Sequence, residues 1–293
     1  MRLLFILTIW VGCIIETYAT NRALLIGIGK YPTAQTGWKV IHGDDDVKLL
    51  ASAFKAQKFT DITTLINNKA TKFAIITELK NLHKRCRPGD VVYIHFSGHG
   101  QPVLDANGDE ATGFDESIIP YNAYRAPQKP KGLYDGRNHL IDDELYPLLD
   151  NIKVKIGSRG KLCVAIDACY SRGMERGEET DIEDDDILNS ARGTDIPFRP
   201  VDTSYLKNLP KPNRFSKGAN MFILAACLNT ERNFEFKTNQ GKMYGSLSYY
   251  IYTLLIKDSD FARWATCIKN QDYKKTPIRI FQAFQHPNII VYQ

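Results

Sequence analysis

The sequence predicts an α/β domain built on a mostly parallel central sheet with helices on both faces. Three observations carry that expectation. Five short apolar runs (residues 23–28, 62–66, 91–96, 162–166 and 221–225) have the length and composition of buried strands. Segments with helical spacing of apolar residues lie between them, the alternation that parallel sheets require. The chain has 293 residues, 43% of them hydrophobic, which is enough for one large core.

The elements follow in order. Met1-Arg2 gives a positive start, residues 3–15 are almost wholly apolar, and Thr17-Tyr18-Ala19 places small residues where a signal peptidase reads. Residues 1–19 thus read as a cleaved export signal, the apolar run being too short to span a bilayer. Gly12-Cys13 offers an alternative lipid-attachment point, the one route to a membrane association. The strand at 23–28 is followed by a helix over 46–54, entered through acidic residues suited to a helix N-terminus. After the 62–66 strand, residues 71–82 carry helical spacing, as do 142–149 and 246–256. Residues 171–218 have no clear apolar period. They hold an acidic run, Glu178 to Asp186, and a proline-rich tail, Pro197 to Pro212. Loops that long inside a compact domain are usually functional or disordered.

Composition excludes several classes. Charged residues are 24% and the net charge is +5, so disorder is not expected. Lys and Arg are scattered, so no nucleic-acid footprint is expected. Six cysteines are present, one of them (Cys13) in the leader. The remaining five are an odd number at wide spacing, which does not read as a disulfide framework. Cys163 and Cys227 fall in apolar runs and read as small buried hydrophobes.

In open parallel sheets ligands bind outside the carboxyl ends of the strands. Two strands end unusually there. Residues 91–96 run into Ser97-Gly98-His99-Gly100, and 162–166 run into Asp167-Ala168-Cys169. If the strands are neighbours, the two side chains can meet. A thiolate attacks a carbonyl and an imidazole takes the proton. The glycines beside His99 let backbone approach a substrate, and the Gly100 and Cys169 amides could stabilise an oxyanion. His95, inside the apolar run, reads as a packed core histidine.

The stretches HFSGHG and DACYSRG resemble the two catalytic signatures of the caspase/metacaspase superfamily of cysteine peptidases. RALLIGIGKYP is similar to that fold's first strand and GDDDVKLL to the helix entry after it. NGDE and GFDESIIPYNA match the segment after the histidine, and LIDDEL the next helix start. ILAACLNTERNFE with GSLSYYIYTLL resembles the small-subunit half. The resemblance spans nearly the whole chain after the leader and is closer to metacaspases and their bacterial relatives than to animal caspases. It implies a caspase-like fold over 20–293, with a large-subunit-like part (20–171), a processing loop (172–218) and a small-subunit-like part (219–293).

The resemblance also implies roles: His99 as general base, Cys169 as nucleophile, with Gly100 beside them and no third member needed to orient the histidine. Asp46, Ser97 and Asp167 match an acidic specificity pocket. Two carboxylates there favour a cation, so the expected substrate is a peptide or protein with Arg or Lys before the scissile bond. The arginine that animal caspases carry upstream has no counterpart, Val40 standing there beside Lys39. The alternative for Asp46 is a helix cap. Tyr170 departs from the family's usual second His after the nucleophile. No cofactor is required. Calcium is an optional activator, mapped by resemblance to Asp115, Asp142 and Asp143, with Arg176 where a further acid is usual. An EF-hand over Asp105, Asn107, Asp109 and Glu116 is disfavoured, since Glu110 replaces the turn glycine and flanking helices are missing.

Arg172, Arg176, Arg192, Lys207, Lys211, Arg214 and Lys217 lie in or beside the loop, so an enzyme cutting after basic residues could process itself there as a zymogen. The alternative is a solvated loop whose basic residues balance its acidic run. The competing functional readings are a caspase-fold peptidase of different specificity, a non-catalytic binding module and a calcium-binding surface protein.

Overall fold

A computed structural model describes residues 19–126, 136–169, 190–194, 196–200, 203–209, 215–228, 231–278, 280–283 and 285–292. Residues 1–18 of the leader, the Arg172 and Arg176 positions, Lys211 and Arg214 lie outside the described residues. In chain order the elements are β1 (Asn21–Gly27), α1 (Thr33–Thr36), α2 (Gly43–Ala56), β2 (Asp61–Ile66), α3 (Lys72–Arg85), β3 (Val91–Ser97), β4 (Gly100–Leu104), β5 (Phe114–Ile118), β6 (Leu140–Ile141), α4 (Asp142–Ile156), β7 (Lys161–Asp167), β8 (Asn220–Ala225), β9 (Glu235–Lys237), β10 (Met243–Gly245), α5 (Ser246–Leu255), α6 (Phe261–Lys269), α7 (Ile280–Ala283) and β11 (Asn288–Tyr292).

Six strands form the central sheet in the order β11-β8-β7-β3-β1-β2. All pair in parallel except β11, which runs antiparallel to β8 at one edge. The architecture is the expected α/β one, with the sheet extended by an antiparallel strand that its five residues alone did not announce. A three-stranded sheet (β4-β5-β6) and a hairpin (β9-β10) lie beside it.

The two-residue period of a strand divides the core. Leu24, Ile26, Ile94, Val164 and Ile223 pack with Ile75 and Leu79 of α3 and Leu149 and Ile152 of α4. Their neighbours Leu25, Tyr93, Cys163, Ala165 and Leu224 pack with Val47 and Leu50 of α2, Ile251 of α5 and Trp264 of α6. Each central strand is apolar on both faces because each face is covered. Among the described residues no helix is long and apolar enough to cross a membrane.

The registry aligns the strand ends. Gly27 pairs with Ser97 and Ser97 with Asp167, so β1, β3 and β7 finish at one level. Gly43 seats α2 on that level. A β-carbon there would lie 2.5 Å from the Ser97 carbonyl oxygen, so only glycine lets the first turn of α2, and with it Asp46, come so close.

Residues 190–209 are not a solvated loop where they are described. Phe198 and Leu206 are buried in the core beneath β4. Gly193 and Phe198 bridge in parallel to Gly100 and Val103 of β4. A segment with no apolar period is held here by single buried side chains and backbone hydrogen bonds.

Candidate active site

His99 follows β3 and is held from three sides. Its backbone N–H donates to the Tyr31 hydroxyl (3.0 Å), which in turn donates to the Ile119 carbonyl. Its ring stacks on Trp38, with centroids 4.8 Å apart. Its Nε2 lies 2.9 Å from the Lys39 carbonyl oxygen. A carbonyl can only accept, so Nε2 carries the proton and Nδ1 keeps the lone pair. Nδ1 is buried without a hydrogen-bond partner. Burial pushes the imidazole pKa down to about 4, the Lys39 carbonyl opposing in part. The ring is therefore neutral at neutral pH, with the Nδ1 lone pair free to accept a proton. A third group does orient the histidine, contrary to the expectation from resemblance. It is the main chain of Lys39, which leaves no mark in sequence.

Cys169 follows β7, the neighbour of β3, and is almost wholly buried. No described cysteine is in a disulfide. The backbone N–H groups of Cys169 and Gly100 both donate to the carbonyl oxygen of Arg192, at 2.9 and 3.2 Å. Two amides converging on one carbonyl oxygen have the geometry of an oxyanion hole. Gly100 is required there, since a β-carbon would sit 2.2 Å from the Cys169 carbonyl oxygen. Cys227 lies beyond the end of β8 rather than inside the strand, with its thiol in hydrogen-bonding reach of the Cys169 thiol. That hydrogen bond, and then burial, hold the Cys227 thiol well above its usual pKa, so it stays protonated.

Arg192 fills the pocket between these strand ends. Its guanidinium is fully buried. Nη2 donates to Asp46 Oδ2 (2.8 Å) and to Glu235 Oε1 (2.7 Å), and Nη1 donates to the Ser97 hydroxyl (2.5 Å). Asp167 Oδ2 lies 3.7 Å from Nη1. The structure thus gathers Asp46, Ser97 and Asp167 around one guanidinium. Asp46 does not cap α2. Besides Arg192 its carboxylate accepts from the Ser97 hydroxyl (2.6 Å) and the Gly245 N–H (3.0 Å). Asp167 accepts from Asn233 Nδ2 (2.7 Å), the Ser248 N–H (2.7 Å) and the Ser248 hydroxyl (2.6 Å). His95 is buried between Tyr93 and that same serine.

Glu235, at the start of β9, completes the pocket and was missed. Only its position after a loop in the second half of the chain could have suggested it. Its second oxygen lies 2.7 Å from Nδ1 of His42. Burial alone would raise its pKa, but the Arg192 guanidinium and the His42 hydrogen bond hold it down at about 2. Asp46 goes the other way, raised to about 6 by burial against the pull of Arg192. A depressed carboxylate contributes stability that is fully present above its unfolded pKa and is lost as pH falls through the folded one. Glu235→Gln is therefore expected to destabilise the protein by about 3 kcal/mol at neutral pH. The difference from wild type in denaturant titrations should shrink between pH 4.5 and about 2.

The Arg192 main chain is held by an isolated antiparallel bridge. Its N–H donates to the Asn233 carbonyl (2.9 Å) and the Glu235 N–H donates to the Ser190 carbonyl (3.1 Å), an antiparallel pairing centred on Ala191 and Phe234. Lys207 and Lys217 lie away from this pocket, with no bond to its carboxylates.

A second acidic group lies past β4. Carboxylate oxygens of Asp115, Asp142 and Asp143 are all within 4.8 Å of one another, as are those of Asp105, Asp109 and Asp115. Asp115 and Asp142 each have one buried oxygen without a hydrogen-bond partner. Burial and mutual repulsion raise Asp115 and Asp142 to about 8 and Asp143 to about 6. Repelling carboxylates with orphaned oxygens fit a hard divalent cation such as calcium. The Asp105 turn sits in the β4–β5 connection, not between helices, which rules out an EF-hand.

Comparison with known proteins gives the family and the fold. A family described as metacaspase, peptidase C14 domain, matches residues 21–175. Metacaspase-1B of Aspergillus clavatus is 34% identical over 102 residues, covering 34% of this chain and 21% of that one. Metacaspase-1 of Mycosarcoma maydis is 26% identical over 200 residues (59% and 46%), and metacaspase-1 of Plasmodium falciparum 30% over 163 residues (52% and 24%). The chain thus spans less than half the length of these relatives. The solved structure of a Geobacter sulfurreducens protein superposes with a TM-score of 0.61 at 19% identity, covering 93% of each chain, a likeness of fold. The chain belongs to the metacaspase family, peptidase C14 domain.

Proposed function

We propose that this metacaspase is an endopeptidase that cuts after arginine, and less readily after lysine, and that it is made as a zymogen cut by its own site between Arg192 and Gly193. One observation carries the reading. Arg192 lies in the acidic pocket while its carbonyl oxygen rests on the Cys169 and Gly100 amides, the posture of a substrate at the point of attack. In this mechanism Nδ1 of His99 takes the Cys169 proton, and the thiolate attacks the Arg192 carbonyl carbon. The charge that develops on oxygen falls on the two amides. His99 returns the proton to the nitrogen of Gly193 as the C–N bond breaks, and water then hydrolyses the thioester. Arginine is favoured over lysine because Nη1 and Nη2 reach different partners, which a single ammonium cannot match.

The test is cleavage of fluorogenic peptides ending in Arg, Lys or Asp, beside mass mapping of the chain itself. Turnover after Arg and a new N-terminus at Gly193 are expected. Cleavage after Asp would overturn the pocket assignment, and an uncut, inactive chain would overturn the whole reading.

Calcium belongs to the proposal as an activator held by Asp115, Asp142 and Asp143. Bound there, the cation would neutralise carboxylates that otherwise repel. Calcium is expected to raise the melting temperature of the wild type, and Asp115→Asn to weaken that shift at least tenfold in calcium concentration. A shift unchanged in the variant would remove the site. The leader at 1–19 supports export as the setting in which the enzyme acts.

A further inference from the structure

We propose that the enzyme also makes peptide bonds, using the α-amine of Gly193 as an acyl acceptor. This rests on the self-cleavage reading above. In ordinary proteolysis the amine product diffuses away and water takes its place. Here the amine side is tied down. Thr194 N–H donates to the Gly100 carbonyl (3.2 Å), Phe198 N–H to the Pro102 carbonyl (2.7 Å), and Leu104 N–H to the Phe198 carbonyl (3.0 Å). Nε2 of Gln101 donates to the Ile196 carbonyl (2.9 Å). The Phe198 ring is buried 4.5 Å from that of His139. None of these contacts involves the bond that is cut, so none is lost when it breaks.

Gly193 itself presses on the nucleophile. A β-carbon there would lie 2.7 Å from the Cys169 β-carbon and 2.5 Å from the Gly100 carbonyl oxygen. After acylation the new amine is therefore left beside the thioester, where oriented reactants reach effective molarities of about 10⁵ M or more. An amino-terminal amine has an ordinary pKa of about 7.7–8.0, so a large share is nucleophilic at pH 8. In the return step the Gly193 nitrogen attacks the thioester carbonyl carbon. The C–N bond forms, the C–S bond breaks, the sulfur leaves with the electron pair, and His99 takes the amine proton. No further reactant is needed.

Two consequences follow. The Arg192–Gly193 bond is cut and resealed many times before hydrolysis separates the ends. Once residues 190–192 have left, an acyl group delivered by another peptidyl-arginine donor with a small leaving group is passed to Gly193. The acceptor is glycine because a larger residue would strike Cys169.

The experiment uses the self-cleaved two-chain protein with a fluorophore-labelled peptidyl-arginine methyl ester. Intact mass and peptide mapping follow the label, with and without hydroxylamine, which cleaves thioesters but not amides. We expect one acyl group per molecule, on Gly193 and stable to hydroxylamine. Phe198→Ala should lower the ratio of transfer to hydrolysis at least tenfold. Should that variant fail to fold, the position and stability of the label on the wild type still decide. Free acid with only a hydroxylamine-labile adduct on Cys169 would overturn the proposal and leave the peptidase reading standing. Neither label nor acid release would mean that the peptidase reading itself had failed.

Discussion

Cys169→Ala should leave the chain uncut at Arg192 and lower hydrolysis of peptidyl-arginine substrates by at least about 10⁴-fold, the scale set by loss of a covalent nucleophile. The neighbour that could take over is Cys227, and its surroundings argue against it. The substitution removes its thiol partner at 169, but burial still holds the Cys227 thiol up, and its sulfur is directed to the Glu231 carbonyl at 3.4 Å. The variant should stay folded, because the substitution removes one sulfur while the Cys169 and Gly100 amides that hold the Arg192 carbonyl are main chain. The check is intact mass over time beside initial rates, with a thermal melt to show that the fold survives. Activity that persisted and was lost on alkylation would move the nucleophile to Cys227. His99→Ala removes the base but not the nucleophile, so its expected loss is smaller, about 10²–10⁴-fold.

The residues at the strand ends were legible because a covered parallel sheet leaves so few options. Residues 91–96 and 162–166 are apolar on both faces, so their polar continuations had to emerge at one edge. His99, Cys169, Ser97 and Asp167 come to one edge because β3 and β7 are neighbours in matched register. Asp46 was harder, since helix entry alone explains an acidic residue. Gly43, with room for no side chain against the Ser97 carbonyl, is what brings it over the strand ends.

What the sequence hid was hidden for physical reasons. The Lys39 carbonyl that orients His99 is main chain, and any residue could supply it. Glu235 reaches the pocket from β9, close to His42 although 193 residues apart in sequence, and such closeness has no local signature. Arg192 stood among seven basic residues in a stretch without periodicity. Its distinction lies in the short run after it, where Gly193 fits against Cys169 and Phe198 finds a buried seat. The apolar run continues through Ala226 to Cys227, which suggests a strand residue, whereas β8 ends at Ala225.

Arg192→Ala should turn a slow-starting enzyme into one active from the first moment. In the uncut wild type the guanidinium occupies the pocket that a substrate arginine needs. A tethered ligand competes at millimolar effective concentration or higher, so an outside peptide at micromolar level is excluded until the chain is cut. Wild type should therefore show a lag on a small peptidyl-arginine substrate, ending as the Gly193 N-terminus appears. The variant lacks both the plug and the cut, so it should show no lag, no Gly193 terminus, and an initial rate at least tenfold above uncut wild type. The energetics favour opening over strain. Without the guanidinium, Glu235 keeps only His42 while Asp46 and Asp167 share a buried pocket with no cation, and an unpaired buried charge costs about 3–5 kcal/mol. Residues 190–192 are held otherwise by a few backbone bonds, so they should leave and let water reach the carboxylates. Arg192→Lys separates this from a purely structural role. A lysine still enters the pocket but meets fewer partners, so the lag should persist with slower cutting. If Arg192→Ala instead lost activity and cooperative unfolding together, while Arg192→Lys restored both without ever being cut, the arginine would be a structural ion-pair partner and not the substrate of its own enzyme.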